Sequence, residues 1–185
     1  MQRSLERLQT DHIDVMQIHG VTYGPDQIAH VQGPVLEALT EAKARGLIRH
    51  VGITGEESWT LIPFLTRPEI EVYQISYNII QQAPGRFFLA EAARTNPGIV
   101  TMRTMTSGMF QHQMDLLAPG WQQVHDLYEV SLKFVLSDSR VHCDIVGMRW
   151  PDEVRRNLDL IRDWPPPFDF ADLPRTTLAV YQRQD

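Results

Sequence analysis

The sequence predicts an α/β protein of the (β/α) TIM-barrel type, incomplete, with about five parallel strands and helices between them. Two stretches carry this. Ile13-Asp14-Val15-Met16-Gln17-Ile18-His19-Gly20 and Ile48-Arg49-His50-Val51-Gly52-Ile53-Thr54-Gly55 each read as a short buried strand that ends on a polar residue or glycine. A helical pattern lies between them, which makes a βα repeat, and the alternation continues downstream. In a parallel barrel the C-terminal strand ends form the active face, so functional side chains are sought there.

The elements follow in order. Residues 2–9 are polar apart from Leu5 and Leu8, a spacing that suits one face of a short helix leading into the strand at 13–19. Residues 20–33 contain Gly24-Pro25 and Gly33-Pro34 and read as a long loop on the active face. Residues 34–45 repeat Val35, Leu36, Leu39 and Ala42 at helical spacing, with Pro34 suited to the first turn and Gly46 to the C-terminal cap. A second unit has its strand at 51–54 and a helix at 59–65 that Pro63 starts or kinks.

The third strand is Val72-Tyr73-Gln74-Ile75-Ser76-Tyr77, followed by a break at Pro84-Gly85 and a helix over 87–94. The fourth strand is 99–103. After it comes a variable stretch to Gly120, then a helix whose apolar face holds Val124, Leu127, Tyr128, Leu132, Val135 and Leu136. The fifth strand is 143–146. The last helix starts at Pro151, with Asp152 and Glu153 in its first turn where the helix dipole favours acids. Residues 1–163 are expected to form one barrel-like domain, and 164–185, with Pro165, Pro166 and Pro167, a proline-rich tail.

Bulk composition narrows the function classes. A formal charge of -6 speaks against a general nucleic-acid or membrane-surface binder, because such proteins need a basic excess to meet phosphates. No apolar run approaches the ~20 residues of a membrane span. Cys143, the single cysteine, has no internal disulfide partner, and the chain lacks a signal-like start, so a reducing cytoplasm is expected. The histidines show no metal-ligand spacing. Nucleophile-elbow and phosphate-loop motifs are also absent. A small-molecule substrate fits this balance.

The candidate chemistry sits at strand ends. His19 can donate a hydrogen bond to a carbonyl or shuttle a proton, or it is a histidine satisfied at a barrel rim. Gln74, Tyr77 and Asn78 can bracket a planar ring and bond a carboxamide, or they are ordinary strand-end polarity. Thr54 and Arg103 take similar places. Gly147-Met148-Arg149-Trp150-Pro151 leads into a helix N-terminus with Arg155 and Arg156 one turn on, which together make a phosphate site with Ser107 and Gly108 beside it, or a solvated basic face.

Taken in order, Ser4-Leu5-Glu6-Arg7-Leu8, Ile13-Asp14, His19, residues 46–54, Gln74 with Tyr77-Asn78, and Gly147-Met148-Arg149 with Asn157 resemble the later strands of the aldo-keto reductase family, over residues 3 to about 162. The resemblance implies an oxidoreductase on a (β/α) barrel that passes a hydride from NADP(H), with NAD as the second option, to an aldehyde or ketone. His19 matches the family histidine that orients the carbonyl, and Gln74 and Thr54 match residues that hold the nicotinamide amide. Arg103 falls near the nicotinamide ring, Ser107 and Gly108 near the pyrophosphate, and Asn157 at the adenine contact. Arg149 or Arg156 stands in for the arginine that binds the 2′-phosphate in some relatives, because this chain has Glu153 there.

The family's reactive tyrosine, lysine and aspartate belong to strands ahead of the segment that begins at Met1. The chain therefore resembles strands four to eight. Its only lysines, Lys43 and Lys133, lie in helices, and Tyr23 is the one tyrosine expected to approach the site from another direction. Two outcomes stand side by side: a reductase lacking part of its machinery, or a non-catalytic remnant that keeps a cofactor-binding module. Open sheet edges at 13–18 and 143–146 are expected to favour self-association.

Overall fold

The structure is a computed structural model and describes residues 2–162. Its elements are α1 (Gln2–Leu8), β1 (Ile13–His19), α2 (Pro25–His30), α3 (Leu36–Ala44), β2 (Ile48–Gly55), β3 (Val72–Ser76), α4 (Ala83–Arg86), α5 (Phe88–Ala92), β4 (Gly98–Met102), α6 (Met109–Leu117), α7 (Leu127–Leu136), β5 (Cys143–Asp144) and α8 (Pro151–Arg162). The strands join one open sheet in chain order, β1-β2-β3-β4-β5. β1 and β2 run parallel with Ile13 opposite Ile48 and His19 opposite Thr54, and β2 and β3 run parallel with Thr54 opposite Gln74. This is the α/β arrangement of successive βα units that the apolar runs predict.

The described residues form two compact units, 2–76 with 84–100 and 77–83 with 101–162. In the first, Leu36, Ile48, Ile53, Leu61, Phe64, Ile75 and Phe88 are buried. The Tyr73 ring packs 5.6 Å from that of Phe88, and its hydroxyl donates to the Phe64 carbonyl at 2.7 Å. Gly46 ends the α3 segment at φ +74°, a left-handed turn that a side chain disfavours, as its place in the sequence predicts. In the second unit Ile79, Phe110, Met114, Leu127 and Val130 make the core, and Asp126 caps α7 by accepting from the backbone N–H groups of Tyr128 and Glu129.

Local chemistry overturns some expectations. Residues 20–33 are not a loop throughout, because Gly24 and Pro25 start a helix rather than stop one. Pro25 takes the first helical position, and the Gln27 side chain accepts from the Gly24 N–H at 2.8 Å. The break comes at Gly33, with φ -102° and ψ -108°, and Pro34 lies inside the single π-helical turn Val31–Val35 instead of opening the next helix. The stretch before Gly120 holds α6, whose inward residues Phe110 and Met114 stand four apart and are buried. Val124 is 78% exposed and precedes α7 rather than lining its apolar face. β5 ends at Asp144, two residues early, and Ile145 is half exposed. The helix expected at 59–65 is a 3₁₀ helix, Ser58–Thr66, with Pro63 inside it. The proline-rich tail expected at 164–185 lies outside the described residues.

Candidate functional site

In the first unit, three sequence-predicted residues fall in one row. His19 is opposite Thr54 and Thr54 is opposite Gln74, so the polar ends of β1, β2 and β3 stand side by side at the strand spacing of about 4.8 Å. His19 is exposed, Gln74 half-buried and Thr54 buried. The row is held by the loop after β1: the Gly20 N–H donates to the Thr54 carbonyl at 3.3 Å, and the Glu56 and Glu57 N–H groups donate to the Val21 carbonyl.

Tyr23 has a different task from the one its position suggests. It is 6% exposed, and its hydroxyl donates to the carbonyls of Thr54 (2.9 Å) and Ile18 (3.4 Å). Burial pushes its pKa up to about 12. The hydroxyl is thus a structural donor, poorly suited to act as an acid near neutral pH. Tyr77 and Asn78, in the second unit, are likewise structural. The Tyr77 hydroxyl donates to Asp138 at 3.2 Å, and Asn78 Oδ1 accepts the N–H groups of Ile80 and Gln81 in a tight turn. Lys43 is ion-paired with Glu71, which also bonds His50, and Lys133 is buried and paired with Glu129.

The second unit gathers most of the predicted nucleotide residues around one cavity. Its volume is about 880 Å³, and Ser107, Gly108, Arg149, Arg156 and Asn157 all line it. The segment between β4 and α6 is bent to present them: Arg103, Thr106, Ser107 and Gly108 all have φ between 52° and 83°. For non-glycine residues this costs about 1–3 kcal/mol each, and such strain gathers at functional sites. Arg103 itself does not line this cavity. Opposite, Arg156 donates to Asp126 Oδ2 at 2.7 Å and lies 4.7 Å above the Tyr128 ring. Burial would raise the Asp126 carboxyl, but the Arg156 guanidinium and the α7 backbone N–H groups hold it below its ordinary value.

Met148 of the predicted phosphate segment lines the cavity too, as do Tyr128 and Met105, which sequence reasoning missed as site residues. Tyr128 carries the same helical spacing as the buried residues of α7, so periodicity alone hides its exposed ring. No cluster of metal-ligating side chains exists among the described residues, and none of their helices is long and apolar enough to cross a membrane.

The family model for the aldo/keto reductases matches residues 1–165. The chain belongs to the aldo/keto reductase family. Its fold is also that of an aldo-keto reductase from Bacillus halodurans in the holo form, at TM-score 0.76 and 22% identity over 97% of this chain and 65% of that one. An aldo/keto reductase from Klebsiella pneumoniae in complex with NADP and acetate aligns at TM-score 0.70 and 18% identity, over 97% of this chain and 62% of that one. An uncharacterized oxidoreductase of Bacillus subtilis is 30% identical over 84 residues, which are 45% of this chain and 26% of that protein. This aldo/keto reductase chain therefore spans less than two thirds of the length of those relatives.

Proposed function

We propose that the chain supplies carbonyl-orienting and dinucleotide-binding residues for the NAD(P)H-dependent reduction of an aldehyde or ketone. The observation that carries this is the convergence of Ser107, Gly108, Arg149, Arg156 and Asn157 on a single cavity of about 880 Å³, a size in the range of cofactor sites. The donor set suits a nucleotide: Ser107 offers its hydroxyl to phosphates, Gly108 beside it leaves open space for their approach, the arginines offer guanidinium groups, and Asn157 offers an amide to a base edge. The cofactor, when bound, supplies the hydride.

His19 is assigned to the substrate. Its exposed imidazole donates to the carbonyl oxygen and makes the carbon more electrophilic. Thr54 and Gln74, beside it in register, hold a carboxamide and fix its plane. Arg103, just after β4 in the second unit, is assigned to the cofactor. The proton that the reduced oxygen needs has no evident donor among the described tyrosines: Tyr23, Tyr73 and Tyr77 donate to protein acceptors, and Arg156 covers Tyr128. This favours, as a second assignment for these residues by themselves, a cofactor-binding module without turnover.

Titration of the purified chain with NADH and NADPH, followed by the change in nicotinamide fluorescence, tests the assignment. Saturable binding that Arg149→Ala and Asn157→Ala each weaken about three- to tenfold supports it. No binding up to millimolar cofactor, or binding indifferent to both substitutions, overturns it.

A further inference from the structure

No residue of α8 is buried, although the helix is strongly amphipathic. Trp150, Val154 and Leu158 stand four residues apart and are 63%, 38% and 56% exposed. Trp150 precedes the helix but keeps to its path: its carbonyl accepts the Glu153 N–H, and Glu153 Oε2 accepts its own N–H, each at 3.1 Å. At this spacing the three side chains line one side of the helix as a stripe about 12 Å long. Single apolar side chains on a surface need no explanation, whereas a stripe that includes a tryptophan marks an interface.

The charges on α8 say what covers the stripe. Asp152-Glu153-Val154-Arg155-Arg156 is antisymmetric in charge about Val154. When two copies of the helix lie antiparallel on a two-fold axis at Val154, each residue meets the one equally far beyond Val154 in the other copy. Acids then meet arginines, Trp150 meets Leu158 of the partner subunit, and the two valines meet on the axis. Asp152 and Arg155 lie on one flank of the stripe, 89% and 71% exposed and paired with each other, so both are placed to pair across the axis. Such self-complementarity is what a two-fold dimer requires, and a parallel pair lacks it.

We propose that α8 is a homodimer interface, in which the stripe of Trp150, Val154 and Leu158 packs antiparallel against the same stripe of a second copy, with Asp152 and Arg155 of the two copies paired along its edge. A stripe of this length falls short of the ~1,200 Å² at which standard interfaces begin, so the dimer is a weak one with a Kd in the micromolar range.

Sedimentation of Val15→Lys, in which pairing at the open β1 edge is blocked, and of Val15→Lys with Leu158→Asp tests the interface, with far-ultraviolet circular dichroism on each. The first is expected to be a dimer at about 100 μM and the second a monomer. Crosslinking in a Cys143→Ser background tests the geometry. Val154→Cys lies on the axis, whereas position 162 in the two copies is about 24 Å apart along the helices. Copper phenanthroline is therefore expected to link Val154→Cys at least about tenfold faster than Arg162→Cys. A monomeric Val15→Lys at that concentration, whether its stripe is bare or covered by another part of the chain, overturns the proposal. A dimer that Leu158→Asp leaves intact, or equal crosslinking at the two positions, overturns it as well.

Discussion

The Tyr23 hydroxyl donates a 2.9 Å hydrogen bond to the main-chain carbonyl of Thr54, which ties the loop after β1 to the C-terminal end of β2. The ring is buried edge-on against Phe64, with centroids 5.3 Å apart. Gly20 makes room for it, since a Cβ there would stand 2.6 Å from Tyr23 Cζ. Phenol, glycine and strand end form one unit that fixes the position of His19 and Thr54.

Tyr23→Phe therefore removes a buried donor while keeping the ring. A loss of about 1–2 kcal/mol is expected in urea unfolding, because the Thr54 carbonyl keeps only the longer bond from the Gly20 N–H, at 3.3 Å. Nucleotide binding should be unchanged. A loss of binding with unchanged stability would show that Tyr23 acts on a ligand instead.

Asp144 makes a pH-dependent prediction. Its Oδ1 accepts from the hydroxyls of Thr101 (2.8 Å) and Thr104 (2.5 Å), while Oδ2 is buried without a partner. Burial raises its pKa above the ordinary 3.8, and the two threonine hydroxyls only partly offset this. The folded state then binds the proton more tightly than the unfolded state does, so the ionised group costs stability as pH rises through and above 3.8. Asp144→Asn is expected to be more stable than wild type at pH 7 and to lose that advantage as pH falls toward 3.8, below which none remains. Thermal unfolding at several pH values checks this, and a destabilised asparagine variant at pH 7 would contradict it.

β1 pairs with β2 along one side, and no other described strand pairs with it. Val15 on β1 is 39% exposed. An open strand with apolar side chains recruits other chains. The purified protein is expected to sediment as a concentration-dependent oligomer, and Val15→Lys to shift it toward monomer. A monodisperse wild-type monomer would count against this.

Turnover by the 185 residues alone is expected to be near background. Lys43 and Lys133 are held by Glu71 and Glu129, and the tyrosine hydroxyls of the β-strand region are committed to protein acceptors. Missing a positioned general acid costs about 10²–10⁴-fold in rate. NADH and NADPH consumption with a panel of aldehydes measures this. Robust turnover abolished by Tyr23→Phe would make the loop tyrosine the acid and sink the prediction.

The βα alternation is legible in the chain because burial on a parallel sheet demands runs such as 48–54, and α3 is legible because Val35, Leu36, Leu39 and Ala42 recur three to four residues apart before Gly46. Patterning of this kind is local, so the sequence by itself determined which segments are strands, their order and the strand-end position of His19. Where local signals conflict, it misleads. Gly24-Pro25 reads as a break, yet proline at a first helical position begins α2, and the glutamines of α6 mask the Phe110 and Met114 pair.

Three matters were decided only by tertiary structure. Strand register put His19, Thr54 and Gln74 in one row, since a slip of one residue would turn Thr54 to the opposite face. Folding of the second unit brought Ser107 and Asn157, far apart in the chain, to one cavity. Hydrogen bonding settled which polar groups are already engaged: Tyr23 and Tyr77 by protein acceptors, Arg156 by Asp126, the α8 amides by Glu153. A sequence names donors and acceptors, but whether each is spent on the fold or left for a ligand depends on which groups lie within about 3 Å of it, and that distance is set by packing between distant segments.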